Sequence, residues 1–360
     1  MARLALQPGD RIALAVSGGG DSIALMHLFK DWKAAATTIL IVDHGLRAGS
    51  AKEAARVRSW AKRAGFAAEV LTWKHSGKQD TAIEERARQA RLSLLGTWCR
   101  KHRVGKLILA HTRDDQAETF LLRLARGSGV DGLSAMRPAS ALPLAGFETV
   151  TLYRPLLGIA RSDLRAFLKR SGIAWLDDPM NEDPRFARVR MRRLLPLLEE
   201  AGLSVSRIAE AAGHLARARA ALDGATGAFL ATHAQIGRQT VLLDRKALIA
   251  APAEIALRVL AALLGRVSGA PYRPRFERLE NLFAALGEAN FSGRTLAGCR
   301  IGPAPKARAQ FGPGTLEIRA ETARRNSAPG GPVRRAKPAN AGLPKKLPQK
   351  GRNRVAILNS

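Results

Sequence analysis

The stretch Ala15–Ser22 reads AVSGGGDS and raises the question on which the fold turns. It follows an apolar run of strand length, RIALAV (Arg11 to Val16), and leads into Asp21 to Asp31, where apolar residues recur at helical spacing. Backbone N–H groups at a glycine-rich strand-to-helix turn converge on a point that also feels the positive end of the helix dipole, so anions bind there. A plain packing turn would account for Gly18, Gly19 and Gly20 but not for Ser17, Asp21 and Ser22. The Gly-Lys-Ser/Thr ending of a Walker loop and the G-x-G-x-x-G dinucleotide spacing are both absent from the stretch.

Working outward, TTILIV (Thr37 to Val42), AAEVLTW (Ala67 to Trp73) and KLILA (Lys106 to Ala110) read as further buried strands. Ala51 to Ala64 and Thr81 to His102 read as the helices between them, the latter opening on a capping box from Thr81 to Glu84. Strands alternating with helices predict an α/β domain, a doubly wound and mainly parallel sheet that takes its ligands at the carboxyl ends of its strands. After a Pro- and Asp-rich connector, LDDPMNEDPRF (Leu176 to Phe186), the sequence becomes Ala-rich and helical from about Ser204 to Gly287. RTLAGCRIG and GTLEIR then predict strands of a small terminal module. The expected division is 1–190, 191–290 (helical), 291–321 (a small β-containing module) and 322–360, a basic tail expected to be disordered.

Composition points to a polyanionic partner. The 360 residues carry 59 Lys and Arg against 30 Asp and Glu, a formal charge of +29, which folding does not require. A spanning helix is not expected, because no run of about 18 apolar residues occurs. The opening residues lack a clear apolar signal core and cleavage site, so a cytoplasmic protein without membrane partners is expected. Cys99 and Cys299 stand 200 positions apart, which excludes a CxxC pair.

Ser-Gly-Gly-x-Asp-Ser resembles the PP-loop of the N-type ATP pyrophosphatases. The longer motifs narrow that resemblance: VDHGLR (Val42 to Arg47), LAHTRDDQAETFLLRLARGSGVDGLSAM (Leu109 to Met136), LYRPLLGIARSDL (Leu152 to Leu164) and WLDDPMNEDPRFARVR (Trp175 to Arg190). In that order and separation they look like the tRNA(Ile)-lysidine synthetases, strongly over about residues 10 to 200 and loosely beyond. The resemblance implies the PP-loop ATP pyrophosphatase fold and a ligase using ATP and Mg²⁺. Its substrates would be free L-lysine and the isoleucine tRNA with a CAU anticodon. ATP would adenylate the C2 oxygen of the wobble cytidine, and the side-chain amine of lysine would then displace AMP. The codon read would change from AUG to AUA. A homodimer is common in the family.

The resemblance places ATP phosphates on Ser17, Gly18, Gly19, Gly20, Asp21 and Ser22, with Asp21 supporting Mg²⁺. It places lysine at Asp115 and Glu118, with His111 and Asp114 beside them, and the target base or phosphates at Arg88 and Arg91. Read by themselves, Asp114 and Asp115 open a helix, and Glu118 shares a face with Asp115. Two carboxylates can hold an ammonium and take its proton, although first-turn acids also serve the helix dipole. Glu84, Arg88 and Arg91 form one helical stripe, which could equally be an ion-paired surface. Arg188, Arg190, Arg192 and Arg193 crowd one stretch and could track tRNA phosphates. His44 and Arg47 could meet the nucleotide, or His44 could be a cap. Three positions depart from the family pattern: Thr112 stands for a second histidine, Leu92 for an aromatic, and Arg188-Val189 for an Arg-Asn pair.

Two other classes share features with this sequence. A tRNA thiolase uses the same activation but generally needs paired or cluster-binding cysteines. A non-catalytic RNA-binding protein on an ATP fold would suit the charge but leave Asp21, Asp115 and Glu118 without purpose.

The tail from Thr322 to Ser360 holds ten Lys or Arg, five Pro and no acid. Such a chain offers phosphate contacts without a fixed geometry for reading bases. Deleting it is expected to weaken tRNA binding and flatten its salt dependence while selection of the cognate tRNA survives. Titrations of cognate and mismatched tRNA at several salt concentrations check this. Unchanged affinities and slopes would make the tail inert, and selective loss of the cognate tRNA would mean that it reads sequence.

Overall fold

Period-2 alternation of apolar residues along strands buried on both faces organises the larger sheet. The structure, a computed structural model, describes residues 9–32, 36–46, 49–74, 83–177, 183, 185–238, 240–270 and 274–321. Its first elements are β1 (Arg11–Ala15), α1 (Gly20–Trp32), β2 (Ala36–Asp43), α2 (Ser50–Arg63), β3 (Ala67–Thr72), α3 (Ile83–Lys101), β4 (Lys106–Ile108) and α4 (Arg113–Leu124). There follow α5 (Val130–Leu133), β5 (Ala139–Ala141), β6 (Thr151–Tyr153) and α6 (Arg161–Arg170). The sheet order is β3-β2-β1-β4-β6-β5, parallel except for β5, which pairs antiparallel with β6. Ile12, Leu14, Ile39 and Ile41 face α1, α2 and α6, where they meet Ile23, Met26, Val57, Leu164 and Leu168. Ala13, Leu40 and Leu107 face the opposite layer, with Leu92, Leu95 and Trp98 of α3. Burying each large aliphatic side chain contributes about 1.5–3 kcal/mol. The expected doubly wound α/β sheet is therefore present.

The chain leaves β1 for β2 and β3 on one side and returns to β4 on the other. The carboxyl ends of β1 and β4 thus flank the point where the winding reverses, the crevice in which open α/β sheets bind ligands. The glycine loop leaves β1 there, and His111 to Glu118 leave β4 there.

The second half comprises α7 (Ala187–Glu200), α8 (Val205–His233), β7 (Ala234–Ile236), β8 (Thr240–Asp244), α9 (Arg245–Ala250), α10 (Ala253–Ser268), α11 (Phe276–Gly287), β9 (Arg294–Leu296), β10 (Cys299–Pro303) and β11 (Thr315–Ala320). The strands expected in RTLAGCRIG and GTLEIR are β9, β10 and β11. They join an antiparallel sheet of order β7-β8-β11-β10-β9, so two of its strands come from sequence read as continuously helical. Val241 and Leu243 of β8 alternate into a core with Leu257, Leu260 and Leu264 of α10, which is why this short segment pairs with β11 instead of extending a helix. Buried Arg258 of α10 binds Asp131 of α5, Asp223 of α8 and Glu254, and so ties the α/β sheet's appendages to this second core. Thr81, the Glu84 side chain, Arg47 and the tail from Thr322 lie outside the described residues.

Gly18 takes a left-handed φ of +93°, and a Cβ there would stand 2.7 Å from Val57 Cγ2 and 2.8 Å from Leu176 Cδ1. Val57 is buried in the core and has little room to yield. Gly18→Ala is expected to destabilise the protein by about 1–3 kcal/mol through strain and overpacking. Urea unfolding checks this, and an unshifted midpoint would show that the loop tolerates a side chain.

Candidate active site

The glycine loop is ordered by its own serines. The Ser17 amide donates to Ser22 Oγ at 3.2 Å, the two hydroxyls lie 3.3 Å apart, and Ser22 Oγ donates to the Gly19 carbonyl at 2.9 Å. Leu176 N–H donates to the Gly18 carbonyl, fastening the loop to the chain after α6. The amides of Ser22 and Ile23 both close on Gly19, so those of Gly20 and Asp21 head α1, where a helix has no acceptors of its own for its N–H groups. A phosphate fits such a cradle. Among the described residues no group of three or more His, Cys, Asp or Glu could hold a metal ion. A Mg²⁺ here would therefore rest on Asp21 and phosphate oxygens, the ligand set usual for that ion with nucleotides.

The acids expected after β4 are brought together. Thr112 caps α4: its amide and hydroxyl donate to Asp115 Oδ2 at 2.8 and 2.9 Å, and the Asp115 amide donates back to its Oγ1. The threonine found where the family has a second histidine is thus the residue that fixes Asp115. Glu118 lies one turn on and is fully buried, while Ala117 between them packs on Leu195 of α7 and Ile208 of α8. Leu92, the second departure, is a core residue under α3.

What joins these acids to the loop was not named from the sequence. Arg161, the first residue of α6, donates from Nε to Asp21 Oδ2 at 3.0 Å, from Nη1 to Glu118 Oε1 at 3.2 Å and from Nη2 to Asp115 Oδ1 at 3.2 Å. Its own amide donates to Asp114 Oδ2 at 2.8 Å, so Asp114 caps α6, whose N-cap residue Ala160 has no side chain to do so. One signal was available: a cation at a helix N-terminus opposes the dipole and needs anions from elsewhere.

Arg188 and Arg192 sit differently from expectation. Arg188 Nη1 stands 3.6 Å from Asp115 Oδ1, and Arg192 bonds Glu118 Oε1 at 3.0 Å. They are one helical turn apart on α7, facing acids that are three residues apart on α4, and both side chains remain partly exposed. Arg190, on the other face of α7, is exposed and donates to the Arg185 carbonyl.

A cationic zone adjoins the acids. Burial lowers the Arg91 pKa to about 10, with Arg88 and Arg188 adding repulsion against Asp115; the group remains charged at neutral pH. Arg91 Nε is buried without a hydrogen-bond partner, as is Nε of Arg154, which lies within LYRPLLGIARSDL. Arg154 otherwise donates to the Arg137 carbonyl and Ser140 Oγ. Arg88, exposed on α3, adds its charge to this zone. His44 directly follows the end of β2, at the carboxyl edge of the sheet.

Burial raises the Asp21 pKa, Arg161 opposes the rise, and Asp115 and Asp114 add to it. For Asp115, burial also acts upward, but Arg161, His111, the Thr112 amide and Arg188 outweigh it and leave the pKa below the ordinary value. His111 is driven well below the ordinary histidine value, first by burial and then by Arg91, Arg154 and Arg188, against the pull of Asp115.

The fold and the glycine loop define the class, and the PP-loop domain family matches residues 2–198. Three tRNA(Ile)-lysidine synthases are similar to the chain over most of its length. That of Ruegeria pomeroyi is 42% identical over 308 residues, 83% of this chain and 70% of that protein. That of a Bradyrhizobium strain, BTAi1, is 38% identical over 332 residues, 82% and 91% of the two chains. That of Methylobacterium nodulans is 40% identical over 298 residues, 81% and 86% of the two chains. The chain belongs to the tRNA(Ile)-lysidine synthase family.

The His111 shift has a thermodynamic consequence with a definite sign. An unfolded histidine gains a proton near pH 6.5 while buried His111 does not, so this residue costs stability as pH falls below about 6.5. His111→Gln is expected to lose less stability than the wild type between pH 7 and pH 5. Urea midpoints across that range check it, and parallel curves would mean that His111 titrates normally.

Proposed function

We propose that this chain ligates free L-lysine onto C2 of the wobble cytidine in the CAU-anticodon isoleucine tRNA, releasing AMP and pyrophosphate. The observation that carries the reading is the acid pair Asp115 and Glu118, set at the carboxyl end of β4 and joined through one guanidinium to Asp21 of the phosphate-binding loop. ATP, when bound, supplies the adenylyl group that turns the base's C2 oxygen into a leaving group, and Mg²⁺ would offset the charge of its phosphates. The loop amides from Gly18 to Asp21, with Ser17 and Ser22, would hold those phosphates. Arg88 and Arg91, with Arg154 beside them, would hold the anionic RNA and the target base. Asp115 and Glu118 receive the ammonium of lysine, which is protonated in water and must shed a proton before its nitrogen can attack. One of the two carboxylates takes that proton as the C2–N bond forms and the C2–O bond to AMP breaks.

Residues 191–290 are proposed to extend the tRNA contact and Arg190 to meet phosphate, and the enzyme is proposed to work in the cytoplasm. Among the described residues no helix is long and apolar enough to cross a membrane. Sulfur transfer is disfavoured. Cys99 is buried with its pKa raised by burial to about 12, and Cys299 is buried in the second core, so neither offers a thiolate at the acid pair.

The test is mass analysis of nucleosides from the isoleucine tRNA after incubation with ATP and isotopically labelled lysine. Lysidine carrying the label is expected from the wild type. Glu118→Gln is expected to raise the lysine KM at least about tenfold while lysine-independent adenylation of the tRNA persists, since one charge-assisted contact is lost. An unlabelled base, or an unchanged lysine KM, would overturn the assignment.

A further inference from the structure

Arg161 has more to do than neutralise acids. Its three guanidinium nitrogens each serve a carboxylate from a different position: Asp21 on the loop after β1, and Asp115 and Glu118 one turn apart on α4. The partition of oxygens that results is asymmetric. Asp115 spends Oδ2 on the Thr112 cap and Oδ1 on Arg161, with Arg188 near the same oxygen. Glu118 spends Oε1 on both Arg161 and Arg192, and its Oε2 is buried without a hydrogen-bond partner. A buried carboxylate oxygen left unpaired is costly unless a donor arrives to meet it. We propose that Arg161 is a positioning residue that turns Glu118 so that Oε2 is the atom receiving the substrate ammonium. Through Nε it also holds Asp21 of the nucleotide loop at a fixed separation from that atom. One side chain thereby sets the geometry between the two substrates that must react in turn.

A planar fork is required for this role. Lysine would keep the charge at position 161 but supply a single point donor, unable to hold three carboxylates in one plane. The proposal rests on the lysine reading in its amine half and on the nucleotide loop alone in its other half.

The experiment is a double-mutant cycle of Arg161→Lys with Glu118→Gln, read two ways. Lysine KM is measured with tRNA and ATP, and equilibrium binding of Mg²⁺ with α,β-methylene-ATP is measured without tRNA or lysine. Arg161→Lys alone is expected to raise the lysine KM and weaken analogue binding, each by about tenfold. In the Glu118→Gln background its effect on lysine KM should shrink below about twofold, while its effect on analogue binding persists in full. A role confined to folding would move both readouts in both backgrounds alike. Additive effects on KM would overturn the proposal, as would an unchanged KM. A lowered KM would also overturn it, because the guanidinium would then be a competitor of the ammonium and not its guide. Should Arg161→Lys not fold, Arg161→Gln is carried through the same cycle. If the wild type makes no lysidine, the functional reading fails on its own account, and the analogue-binding arm still decides whether Arg161 acts on the nucleotide loop.

Discussion

Three carboxylates on two separate segments of chain converge at the rim of one sheet, and such an arrangement holds together only around a cation. Arg161 is that cation, 140 residues from Asp21 in sequence and in contact with it in space. Burial makes Asp21 and Asp115 harder to ionise, and Asp115 and Asp114 act on Asp21 in the same direction. The guanidinium opposes both effects, and its own charge is stabilised in return by the three acids. A buried ion pair that loses one partner leaves an uncompensated charge behind. The geometry of the glycine loop, the first turn of α4 and the start of α6 are therefore interdependent through this side chain, although no two of these segments are neighbours in sequence.

The winding of the sheet makes the convergence possible. Parallel strands present all their carboxyl ends on one edge, and the reversal between β1 and β4 leaves a crevice there. The loops after β1, β4 and β6 open into that crevice, which brings Asp21, the acids of α4 and Arg161 to a common point. Thr112 and Asp114 complete it by capping α4 and α6 respectively, so the helix ends are satisfied by groups that belong to the site. Helix capping and placement of these acids are thus served by the same hydrogen bonds.

Much of this was legible in the residues and some of it was not, for physical reasons. Strands β1 to β4 and helices α1 to α3 are readable because buried parallel strands are short apolar runs between amphipathic stretches. Strands β5 and β6 have three residues each, too few to show a period, and β7 and β8 sit in Ala-rich sequence whose composition favours helix. The acids of α4 could be named because their spacing puts them on one helical face. Arg161 could not be named from spacing, since its partners are gathered by tertiary structure. The contacts of Arg188 and Arg192 with the acids were not legible for a related reason: a run of arginines carries no mark of which face of α7 turns toward α4, and the packing of Leu195 on Ala117 decides it.

The local charge arrangement also bears on how so basic a chain could handle a cationic substrate. A protein of formal charge +29 attracts a polyanion at long range and repels a small cation. Near the crevice both polarities are present, with three arginines set directly on the acids. Arg88, Arg91 and Arg154 lie toward the α3 and β6 side, and the acids lie where α4 meets α6 and α7. Within the acid set, Arg161, Arg188 and Arg192 engage Asp115 Oδ1 and Glu118 Oε1, and Glu118 Oε2 is left without a hydrogen-bond partner. On the proposed function, RNA phosphate would meet the cationic zone and the amine substrate the acid pair, so that the two need not compete for the same charges.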